Sequence, residues 1–267
     1  MMLDSHPLLC SPDESGILLE MQGFLDTRWN HLQTFGLTRT QVLKKIKDFF
    51  LAFHHNYCLV TGKPVWIDKT PQYVKTLPFI KELFPSCRII HLIRDGRDVA
   101  ASFREKWGLR GLLRCLHEWP ECIRRGRSSG SKMDVTQYLE IRYESLVQNP
   151  RSVLSEVLTF LGVEWDDAVL CHHSKPHATT GYFGWERPLK PVSRGRVGLW
   201  RERLRWHERL LVILGFRSLL GELGYLGHWT GGAPFASNVE AACAAFGYLS
   251  SRVLAVGERF IKNRRLP

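Results

Sequence analysis

The sequence predicts a three-layer α/β domain built around a parallel sheet. Three observations point there: short apolar runs that stop at charged residues, helix-periodic segments between them, and polar turns that punctuate the alternation. Strands separated by helices form βαβ units, and such sheets bind their ligands outside the carboxyl ends of the strands. A chain of 267 residues, 44% hydrophobic and 24% charged, is long enough and ordinary enough in composition for one large core.

The elements follow in order. Residues 17 to 34 read as a helix, and 39 to 56 more firmly, with Val42, Ile46, Phe49, Phe50 and Phe53 on one face. A short strand, Pro64 to Ile67, ends in Asp68-Lys69-Thr70-Pro71, and a helix over 72 to 84 closes at Pro85. A strand at 88 to 93 precedes a helix at 96 to 106, a basic helical segment at 112 to 127 and a polar loop from Ser128 to Lys132. A third strand, Tyr138 to Tyr143, leads toward Asn149-Pro150, an N-cap followed by proline at the first helical position. The helix at 150 to 161 ends at Gly162, a helix at 201 to 223 ends near Gly224, and 236 to 262 carries a last apolar stripe. No run approaches the ~18 apolar residues of a membrane span. Met1 to Ser15 lacks the basic start and long apolar core of a signal peptide.

Charge and cysteines narrow the classes. Of the net charge of +11, +7 falls between residues 187 and 217, where nine Lys and Arg face only Glu202 and Glu208. Such a patch attracts nucleic acid, an anionic membrane surface or an acidic ligand, and a solvated helix face is the plainer alternative. The seven cysteines are odd in number, show no C-x-x-C spacing and lie partly inside apolar runs. Free thiols in a reducing, cytoplasmic compartment are the expectation. His172, His173 and His177 have only Cys171 beside them, so no metal site is expected.

The strongest chemical signal is Leu92-Ile93-Arg94-Asp95-Gly96-Arg97-Asp98-Val99-Ala100-Ala101-Ser102. An apolar strand delivers Arg94 to the mouth of a helix, where backbone N–H groups and a guanidinium fork grip phosphate together. Ser102, about two turns on, offers a hydroxyl to the same group. A structural ion pair of Arg94 with Asp95 or Asp98 is the other reading. Lys69, Arg94 and Tyr143 all lie at strand ends, where the ligand of a parallel sheet belongs.

The run from Arg94 to Ser102 resembles the 3′-phosphate motif of sulfotransferases that use 3′-phosphoadenosine 5′-phosphosulfate (PAPS). The resemblance implies that Arg94 and Ser102 hold the 3′-phosphate. Ile67-Asp68-Lys69-Thr70-Pro71 is similar to the family's strand-end lysine segment, which gives Lys69 the task of stabilising the leaving oxygen; a surface lysine before a turn is the alternative. Glu140-Ile141-Arg142-Tyr143-Glu144-Ser145-Leu146 resembles the strand whose tyrosine contacts the nucleotide, here Tyr143. Ser193-Arg194-Gly195-Arg196-Val197-Gly198-Leu199-Trp200-Arg201 resembles the late loop that closes over the 3′-phosphate, with Arg194 and Gly195 in place and Ser193 where arginine is frequent. Lys190, in Lys190-Pro191-Val192, is a further cofactor-binding candidate. Met2-Leu3-Asp4-Ser5-His6-Pro7 and Asp13-Glu14-Ser15 are similar to the opening of tyrosylprotein and related bacterial sulfotransferases, and map the general base onto Glu14. A helix-start acid is the plain alternative for Glu14.

The resemblance covers roughly residues 2 to 224 and implies the sulfotransferase variant of the phosphate-loop nucleoside triphosphate hydrolase fold. It suggests a domain over 1 to 230 and a helical extension over 231 to 267. In the family, a strand and a loop of the R-S-G-T type, which wraps the 5′-phosphosulfate, precede M-L-D-x-H-P. Neither that string nor G-x-x-x-x-G-K-[ST] occurs here. The expectation is therefore a chain truncated before that loop, with the neighbours of a central strand left unpaired. The implied reaction moves a sulfuryl group from PAPS, without a metal, to a hydroxyl acceptor on a small molecule, carbohydrate or peptide tyrosine. Nucleic acid and membrane are not expected partners, and a homodimer is compatible. A catalytically defective nucleotide-binding homologue and a small-molecule kinase remain open as alternatives.

Overall fold

A computed structural model describes residues 2–12, 14–174 and 192–226. The chain divides into two compact units, Met1–Arg205 and Trp206–Pro267.

The first unit alternates short strands with helices. β1 (Leu9–Cys10), α1 (Ile17–Leu32), α2 (Arg39–Thr61) and β2 (Val65–Trp66) form one crossover, closed by parallel pairing of Leu9 with Val65 and Cys10 with Trp66. After α3 (Leu77–Leu83), a second crossover runs β3 (Ile89–Ile93), α4 (Gly96–Gly130), β4 (Tyr138–Arg142), paired in parallel from Ile89–Tyr138 to Ile93–Arg142. α5 (Tyr143–Gln148), α6 (Pro150–Leu161) and α7 (Trp200–Arg203) complete it. Parallel strands joined by helices are the α/β architecture that the sequence predicts. In place of one continuous sheet, the described residues form two separate two-stranded ladders, one per crossover. Val65 of β2 and Leu92 of β3 remain exposed apolar side chains.

α2 begins with a capping box. The Gln41 amide donates to Thr38 Oγ1 and the Thr38 amide donates to Gln41 Oε1, so two helix-end donors are satisfied reciprocally. The helix ends at Gly62, whose φ of 68° only glycine adopts without strain. Its buried stripe is Val42, Ile46, Phe50 and His54, packed with Leu18 and Leu25 of α1 and with Phe79 and Leu83 of α3. Phe49 and Phe53, expected on that face, are instead 48% and 53% exposed and meet edge to face at 5.0 Å. A four-residue step keeps one line along a helix, and residues 49 and 53 lie about 100° off it. A second cluster joins Leu9 of β1 to Leu154 and Leu158 of α6 and to Val169.

α4 is two limbs. At Gly108 the backbone leaves helical space (φ 65°, ψ −152°), between the two segments the sequence predicts separately. The second limb packs back on the first, where the Trp119 ring covers Gly96 so closely that a Cβ there would lie 2.7 Å away. The limb extends through Gly130, so 128 to 130, expected as loop, is helical. Other boundaries also move. The expected helix at 72 to 84 is a 3-10 turn, Pro71–Lys75, followed by α3. The helix at 201 to 223 breaks into α7 and α8 (Trp206–Glu222) at Leu204–Arg205. Asn149 makes no side-chain cap, since α5 runs directly into it from β4. In the second unit, α8 is followed by a turn at Gly224, φ 74°. The stripe expected at 236 to 262 lies outside the described residues.

Candidate active site

Arg94 emerges directly from β3. Its Nη2 donates to the Arg196 carbonyl at 2.7 Å, and its guanidinium carbon lies 4.5 Å from the centroid of the Tyr143 ring. Its Nε is buried and has no hydrogen-bond partner among the described residues. The structure thus brings together Arg94, Tyr143 and the turn containing Arg194 and Gly195, from three parts of the chain. Arg194 itself reaches away, donating to the Gln148 carbonyl at 2.8 Å, while the Gly195 amide donates to Ser193 Oγ at 3.1 Å. Ser102 sits on the first limb of α4, and among the described residues no hydrogen bond joins it to Arg94. Lys190 lies outside the described residues.

Four supports were not visible from spacing alone. Asp98 accepts from the Gly198 amide at 2.8 Å and from the Trp200 amide at 3.0 Å, which closes the late turn over the start of α4. Burial pushes the Asp98 pKa above the ordinary carboxylate value, against the pull of those amides and of Arg94. Its nearest approach to Arg94 is 3.9 Å, so the ion pair considered from sequence is secondary to the amide contacts. Asp95 pairs instead with Arg97 at 2.7 Å, and Arg97 stacks on the Trp200 ring at 4.6 Å. Glu144 Oε1 accepts from the Asp95 amide at 2.9 Å, tying the first turn of α5 to the turn after β3. Trp119 Nε1 donates to the Arg94 carbonyl at 3.2 Å and fixes the strand end from behind.

The other pair of predicted residues also meets. Lys69 Nζ donates to Glu14 Oε1, across 55 residues of sequence. Glu14 lies two residues before Gly16, where α1 opens without a side-chain cap. The loop that carries Glu14 is built from the Met2–Pro7 run. Asp4 Oδ1 accepts from the Ser11 amide at 2.9 Å, His6 takes the Leu8 amide on Nδ1 at 3.1 Å, and His6 Nε2 donates to the Glu164 carbonyl at 3.0 Å. Below the pair, Asp68 accepts from Ser15 Oγ at 2.8 Å and from Thr70 Oγ1 at 2.7 Å. The turn after Lys69 docks on α4, where Lys75 pairs with Glu121 at 3.0 Å. Among the described residues no group of three or more His, Cys, Asp or Glu is arranged to hold a metal ion. His172 and His173 stand ring to ring at 5.6 Å, and His177 lies outside the described residues.

Known proteins resemble this chain in sequence and in fold. The family model described as "Sulfotransferase family" matches residues 1–167. Protein-tyrosine sulfotransferase A of Caenorhabditis elegans is 26% identical over 183 residues, which cover 64% of this chain and 48% of that protein. The nodulation protein NoeE of Sinorhizobium fredii is 26% identical over 260 residues, covering 84% of this chain and 62% of its own length. The chain thus spans about half to two thirds of the length of these relatives. The sulfotransferase domain of the Synechococcus PCC 7002 olefin synthase shares the fold, with a TM-score of 0.58 at 23% identity over 81% of this chain and 88% of that domain. With the family model matched over more than half of its residues, the chain belongs to the sulfotransferase family.

Proposed function

We propose that this domain transfers a sulfuryl group from PAPS to a hydroxyl-bearing acceptor: a small molecule, a carbohydrate or a peptide tyrosine. One observation carries the reading. The Arg94 Nε is buried without a hydrogen-bond partner among the described residues, beside the Tyr143 ring and the Arg194–Gly198 turn. An unmade buried N–H costs about 1–3 kcal/mol, and a phosphate oxygen satisfies it within the guanidinium fork.

These residues fit the 3′-phosphate end of PAPS. Arg94 would hold the phosphate and Tyr143 the nucleotide, and Gly195 would let backbone approach the ligand. Ser102, Arg194 and Lys190 would complete the grip. When bound, PAPS supplies an activated sulfuryl group. At the other end, Glu14 takes the proton of the acceptor hydroxyl, and Lys69 Nζ places positive charge where the departing oxygen gathers negative charge. The contact between Glu14 and Lys69 holds both at the same spot until ligands part them. A reducing, cytoplasmic setting is part of the proposal, supported by the six free cysteines among the described residues.

The test is turnover of PAPS with a panel of phenols, sugars and a tyrosine peptide. Sulfated product from the unaltered chain, lost in Arg94→Ala and Glu14→Gln, is expected. Binding of adenosine 3′,5′-bisphosphate without transfer to any acceptor class would point to a nucleotide-binding homologue without activity, and ATP-dependent transfer would point to a kinase.

A further inference from the structure

Beneath the Glu14–Lys69 contact lies a buried polar cluster that the chemistry above does not use. His54 continues the apolar stripe of α2, and its ring packs against Phe50 (centroids 4.1 Å apart) and Trp66 (4.5 Å). Its Nδ1 lies 3.0 Å from the Phe50 carbonyl, which can only accept, so Nδ1 carries a proton. Its Nε2 is buried, has no hydrogen-bond partner among the described residues, and lies 3.4 Å from Asp68 Oδ2. The two side chains are only 2% and 6% exposed. An apolar residue would fill this place in the stripe at lower desolvation cost, so a histidine that aims one nitrogen at a carboxylate calls for another reason.

Asp68 supplies the connection. It receives Ser15 Oγ on one oxygen and Thr70 Oγ1 on the other. Ser15 follows Glu14 in sequence, and Lys69 stands between Asp68 and Thr70. Ser15 Oγ also meets the Tyr73 hydroxyl at 3.0 Å, and that hydroxyl accepts from the Leu18 amide at 3.1 Å, so the loop is tied to the first turn of α1. Asp68 is the charged group facing His54; the aromatic faces of Phe50 and Trp66 cover its ring, and the Tyr73 hydroxyl joins the cluster through Ser15.

We infer that His54 is a positioning residue, an inference that rests on the sulfuryl-transfer reading above. With a second proton on Nε2 the ring is a cation that anchors Asp68 as an ion pair, and through Asp68, Ser15 and Thr70 it sets where Glu14 stands against Lys69. A base and a leaving-group cation must be placed within a fraction of an ångström, and a shift of about 1 Å costs roughly 100-fold in rate. The Arg94 grip is built from β3, β4 and the late turn, and no hydrogen bond among the described residues links it to His54, Asp68 or Ser15. Damage to the cluster therefore lowers turnover and leaves nucleotide affinity unchanged.

The experiment compares the full chain with His54→Phe, Ser15→Ala and Ser15→Thr. It measures PAPS turnover with 4-nitrophenol, the affinity for adenosine 3′,5′-bisphosphate, and thermal stability. His54 ring-nitrogen NMR shifts are recorded in the full chain and in Asp68→Asn. Expected are a fall in kcat of roughly 10–100-fold for His54→Phe and Ser15→Ala with unchanged nucleotide affinity, recovery of most of the rate in Ser15→Thr, and a displaced His54 Nε2 resonance in Asp68→Asn. Unchanged kcat would overturn the inference, as would kcat and nucleotide affinity falling together with thermal stability. Failure of the sulfuryl-transfer reading looks different: the unaltered chain would not bind adenosine 3′,5′-bisphosphate at all. In that case an Nε2 resonance that ignores Asp68→Asn would still overturn the pairing, and a displaced one would support it.

Discussion

Asp98 Oδ2 accepts a hydrogen bond from the Gly198 amide at 2.8 Å, across 100 residues of sequence. With the Trp200 amide on its other oxygen, this one carboxylate holds the late turn over the helix that starts beside Arg94. Asp98→Ala removes the acceptor for two amides and is expected to cost about 2–3 kcal/mol, since hydrogen bonds to charged groups contribute roughly 1.5–3 kcal/mol each and the freed amides regain some solvent. Asp98→Asn keeps one acceptor oxygen and loses less. Urea unfolding gives the stability. Calorimetry with adenosine 3′,5′-bisphosphate should show weaker binding in the same order.

His91 sets a pH dependence. Burial, aided by the charges of Arg127 and Arg142, pushes its pKa down from 6.5 to about 4, while its Nδ1 and the Tyr138 hydroxyl share a hydrogen bond at 2.6 Å. The unfolded chain therefore takes up the proton first as pH falls. Stability from this group is complete above about pH 6.5 and is lost as pH drops toward 4. At ~1.4 kcal/mol per pKa unit the loss is about 3 kcal/mol. The urea midpoint followed across that range should fall in the unaltered chain and change less in His91→Phe.

Two glycines let α4 lie against the β3–β4 ladder. A Cβ on Gly126 would come within 2.4 Å of the His91 ring, and one on Gly130 within 2.4 Å of the Tyr138 ring. Gly126→Ala and Gly130→Ala should each destabilise by about 1–3 kcal/mol through overpacking. Gly23, inside α1 with nothing within 4 Å, provides the control: Gly23→Ala should stabilise by about 0.5–1 kcal/mol through helix propensity. Thermal melts of the three variants check the contrast.

Glu14 and Lys69 should affect rate and not stability. Their side chains are 36% and 46% exposed, and an exposed pair contributes only about 0–1 kcal/mol. Glu14→Gln is expected to lower kcat by roughly 100- to 10,000-fold, the range of a lost general base, with the melting temperature almost unmoved. Single-turnover measurements with PAPS and a phenol acceptor read the first effect, and a thermal melt reads the second.

The residues that sequence made legible are those whose chemistry is local. Arg94 could be placed because an apolar run, a charge and a helix start occur side by side, and Lys69 and Tyr143 likewise close their own strands or strand-end segments. Their supports were hidden because each acts over a distance that periodicity does not carry. Asp98 works on a turn 100 residues away, Trp119 returns to Arg94 only because Gly108 reverses the helix, and Glu144 reaches from the first turn of α5 to the Asp95 amide. β1 is two residues long, too short for alternation to register, and α5 starts at once after β4 with no breaker between them. His54 passed unnoticed because it occupies an ordinary place in an apolar stripe; only the structure shows Asp68 opposite its free nitrogen.

The central claim is that Arg94 grips the 3′-phosphate of the sulfuryl donor, and calorimetric titration of adenosine 3′,5′-bisphosphate into the unaltered chain and into Arg94→Ala tests it most directly. Binding by the unaltered chain, weakened about 10- to 100-fold in the variant as expected for loss of a charged hydrogen bond, is the predicted result. Equal affinity in the two proteins, or no binding by either, would contradict it.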